Sequence, residues 1–243
     1  MARRLIVTKS AELLGVGIYA RAEAARLIRV TPTRLRRWVG GYRYWYRYMA
    51  TETRRKRPAV VKRDLPNIDG NVALSFVELM ELRVIKALID KDISLQHIRV
   101  VAALMAEHFN TRHPFASQRV FTDGKKVFAG LTAVAVPDLV EISRERIRQV
   151  IAGGIFEPFL EEIDFDPATA LAERWWPLGK SNPILLDPRV AFGAPTIAGT
   201  RIRTTVIAGF ANKTSAEETA KIYDIPPDSV LAAIEFESQL AAA

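Results

Sequence analysis

The first 63 residues carry 17 Lys and Arg against 3 acids, while the other 180 carry 18 against 24. Charge of one sign at that density cannot be buried unpaired, so the N-terminal quarter must fold with a cationic surface. The overall charge of +8 hides this split because the two parts have opposite signs. A positive patch by itself specifies only a polyanion. The residues that carry the charge narrow the choice.

Residues 19–38 read as two short helices around a turn. Ala22, Ala25, Leu27 and Ile28 offer an inner side small enough for another helix to cross closely. Arg29 and Val30 make the turn. Thr31 is then an N-cap, and Pro32 takes the first helical position, where its missing N–H costs nothing. Leu35, Trp38 and Val39 are spaced to face a core, which leaves Thr33, Arg34 and Arg37 outside and Arg36 toward one flank. B-DNA's major groove accepts one such helix, with residues near its N-terminus closest to the base edges. Thr33, Arg34 and Arg37 are therefore the candidate base contacts. Arg36, Arg43, Arg47 and the Arg54, Arg55, Lys56, Arg57 cluster suit phosphates, where charge matters more than geometry. Tyr42 joins this DNA-binding set, within an aromatic and basic stretch (42–48) read as a strand or wing. Residues 51–63 read as a mobile, charged loop. The plainer alternative is a solvated basic face on a core-packing helix.

Composition sets further bounds. With no cysteine, disulfides and thiolate metal sites are excluded. No apolar run suits a signal peptide or a membrane span, so the expectation is a bacterial cytoplasmic protein with no membrane partner. Three regions are expected: 1–112, 113–181 and 182–243. The fold class is mainly α with short β-hairpins: an N-terminal winged helix-turn-helix, a small mixed middle region and a C-terminal trihelical bundle. The spacing predicts helices over residues 74–91 and from Ser94 to His108, a hairpin over 118–128, and a helix over 143–152. Phe159, Ile163 and Phe165 share one parity, which predicts a strand with an acidic outer edge. Three more helices fit 204–210, 215–224 and 227–240, the second with a capping-box pattern from Thr214 to Glu217.

Catalytic and metal readings are weak. Glu157, Glu161, Glu162, Asp164 and Asp166 form a carboxylate cluster, but on a strand Glu161 points away from the others and no His or Lys accompanies them. A solvated edge that discourages strand pairing fits better. His97 and His108 share a helical face, yet metal sites usually need three or four ligands. No catalytic residue, metal or cofactor is expected. Trp175 and Trp176 read as core or interface packing more readily than as a ligand pocket.

The N-terminal part resembles the MerR-type winged helix-turn-helix. The matching residues are Ala24-Ala25, Val30 to Thr33 before Leu35 to Trp38, and Tyr42, Arg43 and Trp45; Leu74 to Phe76 onward is similar to that domain's second helical half. Residues 46–70 intrude where the family has a short link, and Arg29 stands where a turn glycine is common. The C-terminal part carries a sharper signature: Asp187, Pro188, Gly193, Pro195, Gly199, Thr200 and Arg201 look like those of a small antitoxin-like domain that precedes a trihelical bundle. Within it, Arg201 is either a structural anchor for a carboxylate or carbonyls, or a partner contact. The combination is similar to the long VapB-type antitoxins. That resemblance implies an autorepressor, a homodimer on double-stranded operator DNA, and a PIN-like ribonuclease toxin neutralised by direct binding. The other reading is a MerR-like transcriptional regulator with a C-terminal effector-sensing domain.

Overall fold

The computed structural model describes residues 15–48, 51–123 and 153–242. Helices dominate, and the strands among these residues form four two-stranded antiparallel sheets. This is the mainly α architecture with short hairpins that the sequence predicts. Among the described residues, no helix is long and apolar enough to cross a membrane.

Strand β1 (Tyr19–Ala20) leads into α1 (Arg21–Leu27), and a turn separates it from α2 (Pro32–Gly40). The Thr31 hydroxyl accepts from the Arg34 N–H at 3.3 Å, and Pro32 fills the first turn, so α2 starts where the sequence says. Leu35, Trp38 and Val39 are buried, and α1 packs on α2 through buried Ala24, Ala25 and Leu27. Ala22 is exposed; the inner alanine of the first turn is Ala24.

The largest departure follows. Residues 51–63 do not begin as a loop: β3 (Thr51–Arg57) pairs antiparallel with β2 (Tyr42–Tyr48), in register from Tyr42↔Arg57 to Tyr48↔Thr51. A basic strand has no apolar alternation to betray it, but its neighbour supplies a complete main-chain ladder. Gly41 sets the base of this ribbon. Its φ is 67°, and a β-carbon there would lie 2.3 Å from the Arg57 carbonyl oxygen. The chain then returns along α2, with Val60 N donating to Trp38 O at 2.8 Å.

Strand β4 (Ala73–Leu74) pairs with β1 and precedes α3 (Phe76–Asp90), which Ser75 and Glu78 start with a reciprocal capping box. Ser94 caps α4 (Leu95–His108) as expected. Residues 118–123 are helical, so they are not the first arm of a hairpin; the expected second arm and the helix over 143–152 lie outside the described residues. Residues 157–162 are also helical: α5 (Glu157–Glu162) precedes a short β5 (Ile163–Phe165), paired with β6 (Ala172–Trp175). Phe156 and Phe159, three apart, both meet the Phe121 ring, a spacing that suits a helix and outweighs the period-two pattern.

The C-terminal region opens with β7 (Ile184–Leu185) paired to β8 (Thr196–Ile197). Helices α6 (Thr204–Ala211), α7 (Ala216–Tyr223) and α8 (Pro227–Ala241) follow, the three expected. The cap of α7 is Ser215, accepting from Glu218 N at 3.1 Å, one residue later than the Thr214 to Glu217 pattern implies. Buried apolar residues from Tyr19 to Leu240 form one contiguous cluster, so the bundle sits on the helix-turn-helix rather than apart from it.

A polar knot crosses this core. His113 Nδ1 lies 2.9 Å from Glu81 Oε2, and its Nε2 lies 2.7 Å from Asp64 Oδ2. Phe115 N–H donates to the other Glu81 oxygen at 3.3 Å, and Arg112 Nε meets Asp64 Oδ1 at 3.0 Å. Glu78 accepts from Ser75 N at 2.9 Å and from Asp64 N. The knot ties the segment returning from the wing to α3.

Candidate nucleic-acid interface

Helix α2 buries one face and exposes the other. Thr33, Arg34, Arg36 and Arg37 are all exposed, on the side opposite Leu35, Trp38 and Val39. The Arg34 guanidinium lies 5.5 Å from the Trp38 ring centroid, and that of Arg37 lies 6.0 Å from Tyr42. These cation–π contacts restrain the stems while leaving the charged heads accessible.

Between α2 and the base of the wing lies an open cleft bordered by Arg36, Arg37, Tyr42, Arg43 and Lys56. Register explains the gathering: Arg43 faces Lys56 across the ladder, and Gly41 turns the chain back beside α2. Among the described residues, Arg36, Arg43 and Lys56 are exposed and paired with no carboxylate. Arg57 is half-buried at the foot of the ribbon, opposite Tyr42. Arg47, Arg54 and Arg55 stand farther along it, opposite Glu52, Trp45 and Tyr44. A groove of cations beside a helix with its polar face open has the charge to attract a phosphate backbone.

The acidic cluster is dispersed. Glu162 bonds Arg83, while Asp164 meets Lys180 at 2.8 Å, Arg174 at 3.2 Å and the Trp176 indole N–H at 2.9 Å. Asp166 caps a turn through Ala168 N at 2.8 Å and Thr169 Oγ1 at 3.0 Å. Glu162 and Asp164 therefore brace neighbouring segments, while Glu157 and Glu161 stay exposed. Burial opposes ionisation of Asp164, but its bonds to Lys180 and Trp176 outweigh burial and hold its pKa below the ordinary value. Trp175 is buried. Among the described residues, no three His, Cys, Asp or Glu side chains gather as a metal site.

The C-terminal signature is mostly a frame. Buried Asp187 accepts from Arg189 N at 2.8 Å and from its guanidinium at 3.1 and 3.0 Å. Pro188 packs near Gly17, and Pro195 O accepts from Thr204 N at 3.0 Å, which seats α6. Gly199 has φ 78°, and Thr200 closes the same turn, donating to Ile197 O at 2.8 Å. Arg201 is exposed and makes no hydrogen bond or ion pair among the described residues, so it is not the structural anchor that the sequence offered as one option.

Gly193 does something the sequence does not announce. The Tyr19 hydroxyl, 174 residues away, donates to Gly193 O at 2.7 Å. Ile18 N donates to Phe192 O at 3.0 Å beside it. Burial, then the charges of Glu23 and Asp187, push the Tyr19 phenol well above its ordinary value, so it stays a donor. Arg29, in the helix-turn-helix turn, donates to Gln239 of α8 at 2.7 Å. No local pattern around Tyr19 signals these partners.

Residues 184–236 match the family described as "Protein of unknown function (DUF433)". Over 229 residues the chain is 28% identical to "Putative antitoxin VapB45" of Mycobacterium tuberculosis (strain ATCC 25618 / H37Rv), covering 90% of this chain and 93% of that protein. Its fold is similar to the crystal structure of Rv2018 from Mycobacterium tuberculosis, with a TM-score of 0.70 and 23% identity over 91% of this chain and 99% of that one. The resemblance to long VapB-type antitoxins read from the sequence agrees with the first two matches.

Proposed function

We propose that this chain is the antitoxin of a type II toxin–antitoxin pair, which binds its operator as an autorepressor and neutralises a PIN-like ribonuclease toxin by direct binding. It acts by stoichiometric association and not by catalysis. The observation that carries the operator half is the cleft of exposed cations, Arg36, Arg37, Arg43 and Lys56, beside the open face of α2. Full-length similarity to a protein named as an antitoxin supports the other half. Two copies bind successive half-sites, because one short helix reads too few bases for specificity.

Arg34→Ala is expected to weaken operator binding by roughly 1–3 kcal/mol and relax sequence preference. Lys56→Ala should weaken all sequences alike and lower the salt slope by about 1. Fluorescence anisotropy on the DNA upstream of the gene, against a scrambled duplex, separates the two effects. Unchanged binding in both variants would remove the groove assignment.

Co-expression with the adjacent open reading frame tests the other half. Growth rescue and co-purification are expected. Failure of both ends the antitoxin assignment and leaves DNA binding standing. A second function, a MerR-like regulator with an effector site, is favoured by one cavity beneath the helix-turn-helix.

A further inference from the structure

Strand β3 ends at Arg57, and residues 58–65 form a strap that carries the chain from the wing back to the body. Val61 and Leu65 are buried and pin the strap at its middle and far end. The far end is held again by Arg112, which donates to Arg63 O at 2.8 Å and meets Asp64 at 3.0 Å. The wing-side end lacks such an anchor, since Pro58 is exposed. From α4, Arg99 reaches it: its Nε donates to Pro58 O at 3.0 Å. We propose that Arg99 is a positioning residue for nucleic-acid binding, which sets the pitch of the wing against α2 without touching DNA.

The space beside the strap shows why one bond decides this. A cavity of about 220 Å³ separates Pro58, Ala59 and Val60 from α4. On the helix side it is bordered by Arg99, Ala102, Ala103 and Ala106, whose spacing of three and four puts them on one face. Methyl groups leave that gap unfilled, so packing does not fix the distance between the strap's wing end and α4. A directional hydrogen bond does. With Val61 pinned, the freedom left to the strap is a tilt at Pro58, and the Arg99 bond opposes it. From the other side, α2 holds the same end through Val60 N–H and Trp38 O at 2.8 Å.

Pro58 directly follows the foot of the wing, so a tilt there moves Lys56 and its ladder partner Arg43 away from Arg36 and Arg37. The cationic cleft has one wall on α2 and one on the wing, and a phosphate backbone meets both only at one pitch. Arg99 borders the cavity behind the strap and not that cleft, which separates its role from a phosphate contact. The effect on binding rests on the operator-binding proposal; the clamp itself does not.

Two substitutions separate position from charge. The Gln side-chain nitrogen stands as many bonds from the backbone as the Nε of Arg, so Arg99→Gln keeps the donor to Pro58 O and removes the charge. It also discards a terminal nitrogen that is buried without a hydrogen-bond partner. Arg99→Met removes donor and charge together, and Met suits a helix, so the fold is retained. Arg112→Met, which frees the far end of the strap, is the control.

The full chain is titrated by fluorescence anisotropy with the DNA upstream of the gene and with a scrambled duplex, from about 50 to 200 mM salt. Hydrogen exchange of the Val60 amide is followed without DNA. Arg99→Met is expected to speed that exchange at least about ten-fold. It should also lower the salt slope by about 1–2, as Arg43 and Lys56 disengage, and weaken both duplexes alike because Arg34 is untouched. Arg99→Gln should keep the wild-type exchange rate and slope, and Arg112→Met the wild-type slope. An equal fall in slope in Arg99→Gln would make Arg99 a phosphate contact and overturn the positioning role. Unchanged Val60 exchange or slope in Arg99→Met, or the same slope loss in Arg112→Met, would overturn it too. Wild-type protein with no preference for the upstream DNA would sink the operator reading instead, and the exchange rates would still decide the clamp.

Discussion

Replacing His113 with Leu is expected to lower the unfolding free energy by about 3–5 kcal/mol, because it strands a buried carboxylate. Glu81 is 3% exposed, and the His113 ring is its side-chain partner at 2.9 Å. Without the imidazole, Glu81 keeps only the Phe115 N–H, and Asp64 loses its contact at 2.7 Å. The same knot predicts an unusual pH dependence. Burial works against the charged ring, but the Glu81 hydrogen bond and charge, then Asp64, outweigh burial and raise the His113 pKa above its ordinary value. A raised folded value means that the stabilisation is complete below the unfolded pKa of about 6.5 and is lost as pH climbs through the folded one. Burial raises Glu81 and Glu78 as well, which gives the same sign: stability falls as pH rises. Urea midpoints from about pH 6 to 9 should fall in the wild-type protein and stay flatter in His113→Leu. Parallel pH profiles in the two proteins, or a cost below about 1 kcal/mol, would remove the knot as a stabilising element.

Gly193→Ala should destabilise the protein by roughly 2–4 kcal/mol, the sum of two penalties. Gly193 has φ 85°, a left-handed conformation that costs any other residue about 1–2 kcal/mol. An added β-carbon would also lie 2.2 Å from the Tyr19 hydroxyl oxygen. Tyr19 is fully buried, so its ring cannot swing aside and the bond to Gly193 O is lost. A melting temperature and urea midpoint measured for Gly193→Ala, Tyr19→Phe and the double variant separate the penalties. The two changes should be less than additive, since both break the same bond. Full additivity, or a negligible effect of Gly193→Ala, would show that the contact does not bind the bundle to the helix-turn-helix.

These two positions mark where legibility ended. Thr31, Pro32, Leu35 and Trp38 were readable because capping and helical spacing act within a few residues. The C-terminal helices were readable for the same reason, although Ser215 displaced Thr214 as a cap when two hydroxyls stood side by side. Strand β3 was not readable, because Thr51 to Arg57 has the composition of a charged loop and only pairing with β2 makes it a strand. The helix at 157–162 is hidden because Phe159, Ile163 and Phe165 share one parity, although only Ile163 and Phe165 lie in the strand. The candidate interface was legible as a set of residues but not as a cleft: Lys56 joins Arg36 and Arg43 only through the hairpin register.

Charge, caps and periodicity are local quantities, and they suffice for the cationic N-terminal quarter, the capped helices and the outward face of α2. The remaining contacts exist only once the chain has folded. Folding brought Tyr19 to Gly193 across 174 residues, His113 between Glu81 and Asp64, and Arg83 to Glu162. Each of those contacts is a pairing of buried polar groups between distant segments, and desolvation gives it strength only after the core has excluded water.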